Sequence, residues 1–171
     1  AFQTEGYMAA INAVNNGLSI LPDSEELTAA LKEYESYTPI PITKLLCVSD
    51  GPYLFDIEGS LKDNYNNEYS SGYYLYAGES GSIIARYRLG GKYTKLSGKV
   101  AYEYPQNTGR WGTIRFYDDN DNLLFETNRM DIDSQPQEFS FSVEGVQNLT
   151  IRTNGSGWAC NLIVPYLQVQ K

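Results

Sequence analysis

The sequence predicts an all-β domain, an antiparallel β-sandwich, preceded by a short N-terminal helical segment. Three observations lead to this fold class. From about Lys44 onward apolar residues alternate with polar ones, which is the period of a half-buried strand. Gly, Asn and Asp interrupt that pattern about every ten residues, as turns of a sandwich do. The first forty residues instead show helical spacing.

The first predicted helix is defined by apolar residues that recur at helical spacing. Tyr7, Met8, Ile11 and Val14 fall on one face, and Gly17 follows them. Glycine commonly follows the last residue of a helix. We therefore expect this helix to end near Gly17.

A second helix is predicted from a capping-box pattern, Asp23 followed three residues later by Glu26. One apolar stripe follows: Leu27, Ala30, Leu31 and Tyr34. The prolines in the segment 38–41 end the helix, since a residue that precedes proline is disfavoured in the helical region. We expect residues 1–41 to form a helical lead-in or linker and residues 42–171 to form the sandwich.

The predicted strands are segments in which apolar residues alternate with polar ones. These segments are 83–89, 96–104, 113–116, 123–125, 139–143 and 149–152. Asp118–Asn122 is the predicted turn before the strand at 123–125. Pro165 interrupts the last apolar run, and proline lacks the N–H that a central strand uses. We expect that strand to lie at a sheet edge or to contain a bulge.

Composition excludes several classes of function. The formal net charge of −8 disfavours nucleic acid and anionic membrane surfaces as partners. The sequence contains no apolar run long enough to span a bilayer, so we expect no membrane insertion. It also contains no histidine, which rules out a Ser-His-Asp triad and a histidine-ligated zinc site.

The two cysteines, Cys47 and Cys160, are far apart in sequence and form no CxxC pair. This spacing argues against a thiolate metal cluster. Two alternatives remain at this stage. They pair as a disulfide between neighbouring strands, or they are two small buried thiols.

The candidate ligand contacts are aromatic and amide side chains of the kind that bind sugars. The C–H face of a pyranose stacks on Trp or Tyr, while Asn bonds its hydroxyls. We predict that Trp158 and Tyr74 stack against a sugar ring, and that Tyr76, Asn154 and Asn161 bond its hydroxyls. Alternation predicts one shared face for Tyr74 and Tyr76. Trp158 follows a Gly-rich loop, where it is either an exposed stacking platform or an apolar plug at the end of the sandwich.

The acidic run Asp118–Asn122 is a candidate metal site, because its spacing of oxygen ligands resembles the start of an EF-hand loop. Leu123 stands where that loop requires glycine, and Arg129 stands where it requires a bidentate glutamate. The run is therefore predicted to be a hairpin turn. We expect no cofactor, while structural calcium in an acidic loop stays open.

Catalysis is disfavoured by the arrangement of carboxylates. Asp56 and Glu58 lie two residues apart, on one face if they share a strand. A glycosidase needs its two carboxyls on opposite sides of the scissile bond, ~5–10 Å apart, in a deep cleft. A sandwich of this size seldom has such a cleft, so we expect no enzyme activity.

Three segments in order resemble those of one known family. They are 76–93, with the turn Leu-Gly-Gly-Lys-Tyr at 89–93; 112–119, a strand that ends in an acidic turn; and 139–151, two strands joined by a Gly-Val corner. From about Ile42 to Val169 the chain resembles the NPCBM family of carbohydrate-binding modules, which are attached to bacterial glycosidases. The resemblance implies a galactose-binding-like jelly roll, no catalysis, and binding of glycans such as terminal galactosides.

The function expected from the resemblance is a non-catalytic carbohydrate-binding module of a secreted or cell-surface bacterial protein. It would bind carbohydrate at the loop end of the sandwich and belong to a larger multidomain chain. The alternative is a protein-interaction or spacer domain with no sugar ligand. The apolar stripe of the N-terminal helices supports that alternative, because such a stripe needs a surface to cover.

Overall fold

The computed structural model describes residues 2–49, 54–78, 83–105, 109–156 and 160–171. The predicted site residue Trp158 lies outside these described residues. The chain divides into two compact units, of which one is Ala1–Ile40 with Gln170–Lys171 and the other is Pro41–Val169.

Helix α1 spans Phe2–Ile20, so the prediction that it ends near Gly17 is wrong. The backbone continues through Gly17, whose carbonyl accepts a hydrogen bond from the amide of Leu21 at 2.9 Å. Gly17 has a packing role instead. A Cβ at this position would lie 3.0 Å from a methyl group of Leu27 in the next helix. The glycine therefore permits close approach of the two helices.

Helix α2 spans Glu25–Ser36, and its N-cap is Ser24. The Ser24 hydroxyl accepts a hydrogen bond from the amide of Leu27 at 3.3 Å, which is the usual role of a capping serine. The predicted capping box at Asp23 and Glu26 is therefore wrong by one residue. The predicted stripe is confirmed, because its members are all half-buried while the residues between them are exposed: Leu27, Ala30, Leu31 and Tyr34.

The regular structure of the second unit consists mainly of short strands. A single turn of 3₁₀ helix, Ile42–Lys44, follows the first of them. The strands in chain order are β1 Ile40–Pro41, β2 Phe55–Asp56, β3 Leu61–Asp63, β4 Glu68–Tyr69, β5 Tyr73–Ala77, β6 Ile83–Arg88, β7 Lys95–Tyr104, β8 Trp111–Tyr117, β9 Leu123–Glu126, β10 Met130–Asp131, β11 Gln137–Ser142, β12 Asn148–Gly155 and β13 Cys160–Gln170.

These strands form two antiparallel sheets, which confirms the predicted all-β sandwich. The first sheet has the order β2-β5-β13-β7-β3-β4, and β11 also pairs with β7. The second has the order β10-β8-β12-β6, and β9 also pairs with β8. Strands adjacent in the sheets are often distant in sequence, so loops from different parts of the chain meet at the ends of the sandwich.

The core contains the side chains that alternation directs inward from both sheets. Its largest fully buried members include Leu75, Leu96, Tyr102, Phe116, Ile151 and Leu162. The Phe116 ring lies 5.0 Å from that of Phe141 and 5.6 Å from that of Phe139, centroid to centroid. Contacts at this distance between aromatic rings add to the free energy gained from burying them.

Strand β13 differs from the expectation that Pro165 would place it at an edge. It lies inside its sheet, between β5 and β7. Its register with β5 runs only from Cys160 to Val164, so Pro165 lies just beyond that pairing. The burial pattern also changes there, since Leu162, Ile163 and Val164 are all buried, Pro165 and Tyr166 are half-buried, and alternate residues are buried from Leu167 onward. The expected interruption occurs, but within the sheet.

Both cysteines are free thiols. Cys47 is half-buried and its sulfur lies 3.2 Å from the Ser49 hydroxyl, whereas Cys160 is buried in the sandwich. Burial raises the pKa of Cys160 to about 12. Of the two alternatives that the sequence left open, the structure therefore has unpaired thiols.

Candidate functional site

The candidate site lies on the outward face of the first sheet, near the end where β5 and β7 finish and β13 begins. We call it the Tyr-Glu-Asn face; it consists of Tyr74, Tyr76, Glu103 and Asn161. In β5 the residues Tyr73, Leu75 and Ala77 are buried, so Tyr74 and Tyr76 point away from the core. Their shared face agrees with the sequence prediction.

The two tyrosines are in direct contact. Their ring centroids lie 5.3 Å apart with an interplanar angle of 83°, a T-shaped arrangement. Tyr76 is 52% exposed and Tyr74 is half-buried. Phe55, 49% exposed, is the partner of Tyr74 in the register with β2, so its side chain is on the same face. An aromatic strip therefore runs along this edge of the sheet.

Asn161 connects the tyrosines to the neighbouring strand. It is the partner of Tyr76 in the register between β13 and β5. Its side-chain amide donates a hydrogen bond to the Glu103 carboxylate on β7 at 2.6 Å. Hydroxyl, amide and carboxylate groups from three strands are thus close together beside an aromatic strip.

The raised pKa of Tyr74 favours hydrogen bonding over acid–base chemistry. Burial, a hydrogen bond with Tyr76 and the charge of Glu103 raise the pKa of Tyr74 far above its ordinary value. Tyr74 is therefore a neutral phenol throughout the physiological pH range, able both to donate and to accept. Such groups suit a neutral, hydroxyl-rich ligand.

The structure does not bring Asn154 together with the other predicted residues. Asn154 is on β12 of the second sheet, paired in register with Thr113. The buried residues Ile151, Thr153 and Gly155 alternate with it, so Asn154 points outward on the opposite side of the sandwich. Trp158 is outside the described residues, but it precedes Asn161 by three positions in the sequence.

Glu103 and Phe55 are site residues that the sequence analysis missed. Glu103 is an ordinary polar residue in the alternation of β7, and nothing in its own segment distinguishes it from Lys99 or Ser97. Only the register of β7 against its neighbours places it beside Asn161. Of the two, only Phe55 could have been identified from the sequence, because aromatic residues are common in strands.

Comparison with known families decides where this chain belongs. The profile of the NPCBM/NEW2 domain matches residues 50–160, which is more than half of the chain. The chain belongs to the NPCBM/NEW2 domain family. Members of this family are non-catalytic carbohydrate-binding modules, as the resemblance implied. No match was found among curated proteins.

Solved structures of carbohydrate-binding modules have the same fold as this NPCBM/NEW2 domain. One contains CBM51-2, in complex with GlcNAc, and INT domains of Clostridium perfringens ZmpB; it is 15% identical, with a TM-score of 0.59 over 78% of this chain. Another is the CBM51 of a Clostridium perfringens GH95 in complex with methyl-galactose, 16% identical, with a TM-score of 0.56 over 77% of this chain.

The tandem CBM51 modules of the family 98 glycoside hydrolase of Streptococcus pneumoniae also match, with 12% identity and a TM-score of 0.58. The NPCBM/NEW2 chain covers 32% of the ZmpB chain, 99% of the GH95 module and 47% of the tandem modules. It therefore spans about a third of the length of the ZmpB chain that it matches, and one whole module of the GH95 protein. These likenesses show the fold of a single module.

The described part of this NPCBM/NEW2 domain contains no group of three or more Cys, Asp or Glu side chains arranged to hold a metal ion. The run Asp118–Asn122 is a hairpin turn, as predicted. One Asp118 oxygen accepts hydrogen bonds from the amides of Asn120 and Asn122, and the other accepts one from the Asn122 side chain.

Within the same described ranges, no helix is long and apolar enough to cross a membrane.

Proposed function

We propose that this domain binds a neutral glycan on the Tyr-Glu-Asn face, together with Trp158, which precedes Asn161 by three positions in the sequence. The observation that supports it best is the meeting of Tyr74, Tyr76 and Asn161. The sequence predicts all three as ligand contacts from their chemistry, and they lie on one face around the Glu103 carboxylate. The family and the ligands of the similar modules agree with this chemistry.

Each group has a distinct part in the proposed site. Because Tyr76 is 52% exposed and Tyr74 is half-buried, we exchange the roles that the sequence predicts for them. The Tyr76 ring, together with Trp158, offers an apolar surface for the C–H face of a sugar ring. Tyr74 donates to a hydroxyl or accepts from it, while Glu103 accepts hydroxyl protons in strong charge-assisted bonds. The Asn161 amide holds the Glu103 carboxylate in place at 2.6 Å, so that it is oriented before the ligand arrives. Asn154, on the other side of the sandwich, takes no part.

The biological role that follows is attachment of a larger bacterial protein to carbohydrate. A single shallow site gives weak affinity, on the order of 10 μM–1 mM, and several modules on one chain compensate by multivalency. The similar ZmpB and family 98 chains contain more than one domain, which supports a multidomain parent. We propose that the parent is secreted or displayed on the cell surface, and that binding needs no calcium.

The first experiment is a glycan-array screen at high protein density, with and without calcium, followed by calorimetry on the best ligand. We expect Tyr76→Ala to weaken binding about tenfold, since it removes an exposed stacking surface. Trp158→Ala should have a similar effect. Asn154→Ala is the matched control, and its affinity should equal that of the unmodified domain.

Two outcomes would contradict the proposed site. A blank array at densities where weak multivalent binders are detected would remove the sugar ligand itself. Loss of affinity in Asn154→Ala with normal affinity in Tyr76→Ala would move the site to the other sheet. Calcium-dependent binding would contradict only the absence of a metal requirement.

A protein-interaction or spacer role is the second candidate, and one observation favours it. The helical unit exposes large apolar side chains, with Ile20 79% exposed and Leu21 62% exposed. Adjacent exposed apolar residues often mark contact surfaces. Light scattering on the full chain, compared with the double variant Ile20→Ser and Leu21→Ser, tests this role. An oligomer that the double variant abolishes supports it, and a monomer in both forms contradicts self-association.

A further inference from the structure

A polar cavity lies on the outward face of the other sheet, and its lining shares no residue with the Tyr-Glu-Asn face. Its volume is about 130 Å³, well above the ~10–15 Å³ that a cavity needs to hold one water molecule. It is lined by six polar residues from β6, β12 and the turn after β8: Arg86, Asp118, Asp119, Asp121, Asn148 and Thr150. We call it the β6–β12 pocket.

The walls of the pocket are fixed by hydrogen bonds within the protein. Asp119 accepts from the amides of Gln147 and Asn148 at 2.8 and 2.9 Å, and from the Asn148 side chain at 2.9 Å. Asp121 forms an ion pair with Arg152 at 2.7 Å. These four contacts hold the turn against β12 and the residue before it. The pocket therefore exists before any ligand binds, and binding loses little conformational entropy there.

One wall of the pocket, from β6 and β12, offers hydrogen-bond donors to a ligand. Thr150 is only 2% exposed, and its hydroxyl accepts from the Arg86 Nε at 3.0 Å. The Arg86 side chain lines the pocket and is exposed, so its terminal nitrogens are accessible to a ligand. A hydroxyl can accept and donate at once, so Thr150 can keep its bond from Arg86 and donate to a ligand hydroxyl.

The acceptors on the opposite wall are carboxylates held in the ionised state. Burial by itself raises the pKa of Asp119, but hydrogen bonds from Asn148 and Gln147 outweigh it and lower the pKa. Hydrogen bonds from Asn122 and Asn120 lower the pKa of Asp118. These carboxylates have lone pairs to accept further hydrogen bonds, and their charge disfavours an anionic ligand.

We propose that the β6–β12 pocket is a second binding site, specific for a neutral sugar residue or cyclic polyol bound through adjacent hydroxyls. Each ligand hydroxyl both donates and accepts, so one pair of hydroxyls satisfies Arg86 and Thr150 on one side and Asp118 on the other. The Arg86 cation is already inside the pocket, which disfavours a bound metal ion. The site acts independently of the Tyr-Glu-Asn face, because it is on the other sheet.

Backbone amide NMR on the full chain tests the proposal with named probes. Methyl galactoside, methyl glucoside and myo-inositol are titrated separately into the millimolar range, and galacturonate and calcium chloride serve as charged probes. We expect at least one neutral probe to shift the amides of Asn120, Asn122, Gln147 and Asn148 saturably. The amides of Tyr76 and Asn161 report the other site in the same spectra, so failure at one site is distinguished from failure at the other.

Two variants and one control connect such shifts to the pocket. Arg86→Gln and Thr150→Val should each weaken the affinity about tenfold, because each removes a donor to the ligand. Arg88→Gln, an exposed arginine two residues along the same strand and outside the pocket lining, should leave the affinity unchanged. Shifts produced only by calcium or only by galacturonate would overturn the proposal. Pocket amides that no neutral probe shifts, or shifts equal in Arg86→Gln and the unmodified chain, would overturn it too.

Discussion

The turn after β3 and the turn after β8 have the same hydrogen-bond pattern but different surroundings. In each, an aspartate accepts from the backbone amides two and four residues ahead and from the asparagine side chain four residues ahead. The first pair is Asp63 and Asn67, and the second is Asp118 and Asn122. Both turns also have a positive φ at the fourth position, 62° at Asn66 and 59° at Asp121.

The two turns differ in what covers the aspartate. Asp63 is fully buried, and its second oxygen also accepts from the Tyr69 hydroxyl at 2.8 Å. Asp118 is half-buried, and it lines the β6–β12 pocket. Asp63 is also the partner of Glu103 in the register of β3 with β7, so the buried turn supports the strand that bears the Tyr-Glu-Asn face. One local motif thus stabilises the fold in one place and leaves a carboxylate accessible in the other.

The largest expected effect is that of Asp63→Ala. The change leaves the amides of Tyr65 and Asn67 and the Tyr69 hydroxyl without their buried acceptor. We expect a loss of about 3 kcal/mol in the free energy of unfolding, since unsatisfied buried donors are costly. Urea unfolding followed by tyrosine fluorescence measures it. A loss no larger than that of Asp118→Ala would show that burial does not distinguish the two turns.

Acid should remove part of the same stabilisation. Burial alone raises the pKa of Asp63, but bonds from Asn67, Tyr69 and two backbone amides lower it below its ordinary value of 3.8. A carboxyl whose pKa is lowered by folding stabilises the protein above its unfolded pKa, and this contribution is lost as pH falls through the folded pKa. We therefore expect stability to fall below about pH 4.

The matched variant for the acid experiment is Asp63→Asn, which cannot ionise. We expect it to lower the free energy of unfolding less than Asp63→Ala does. Unfolding free energies measured from pH 7 to pH 2 should converge for the two proteins as pH decreases. A constant difference across this range would contradict the assignment, because it would mean that the charge of Asp63 contributes nothing. Asp118 and Asp119 titrate in both proteins, so their contributions cancel in the difference.

Alternation in the sequence was sufficient to predict the fold, because burial on one face imposes a period of two on strands such as β7 and β12. It also placed Tyr74 and Tyr76 on one face correctly. It did not predict which strands are neighbours, since register depends on contacts between distant segments. Register alone places Glu103 beside Asn161. It also places Asn154 on the other sheet, although Asn154 and Trp158 are close in sequence.

The structure differs from the predictions at Gly17 and Pro165 because both depend on contacts between separate elements, which the local sequence does not specify. Gly17 resembles a helix stop, but its role is to admit Leu27 of the next helix, which is a tertiary contact. Pro165 lies inside a sheet because β13 loses its pairing with β5 just before the proline, so the missing N–H is not required for that ladder. The turns at Asp63 and Asp118 show the same limit. Their sequences specify the backbone bonds, but not the burial.

The smallest expected effect is that of Asp118→Ala. The hydrogen bonds lost there are partly open to water, which replaces them, so stability should change much less than in Asp63→Ala. The pocket should respond instead, because the variant removes an acceptor from its wall. Urea unfolding measures the first effect, and the amide shifts of Gln147 and Asn148 on sugar titration measure the second. A large loss of stability with unchanged sugar shifts would reverse the comparison, making the exposed turn structural and its carboxylate irrelevant to binding.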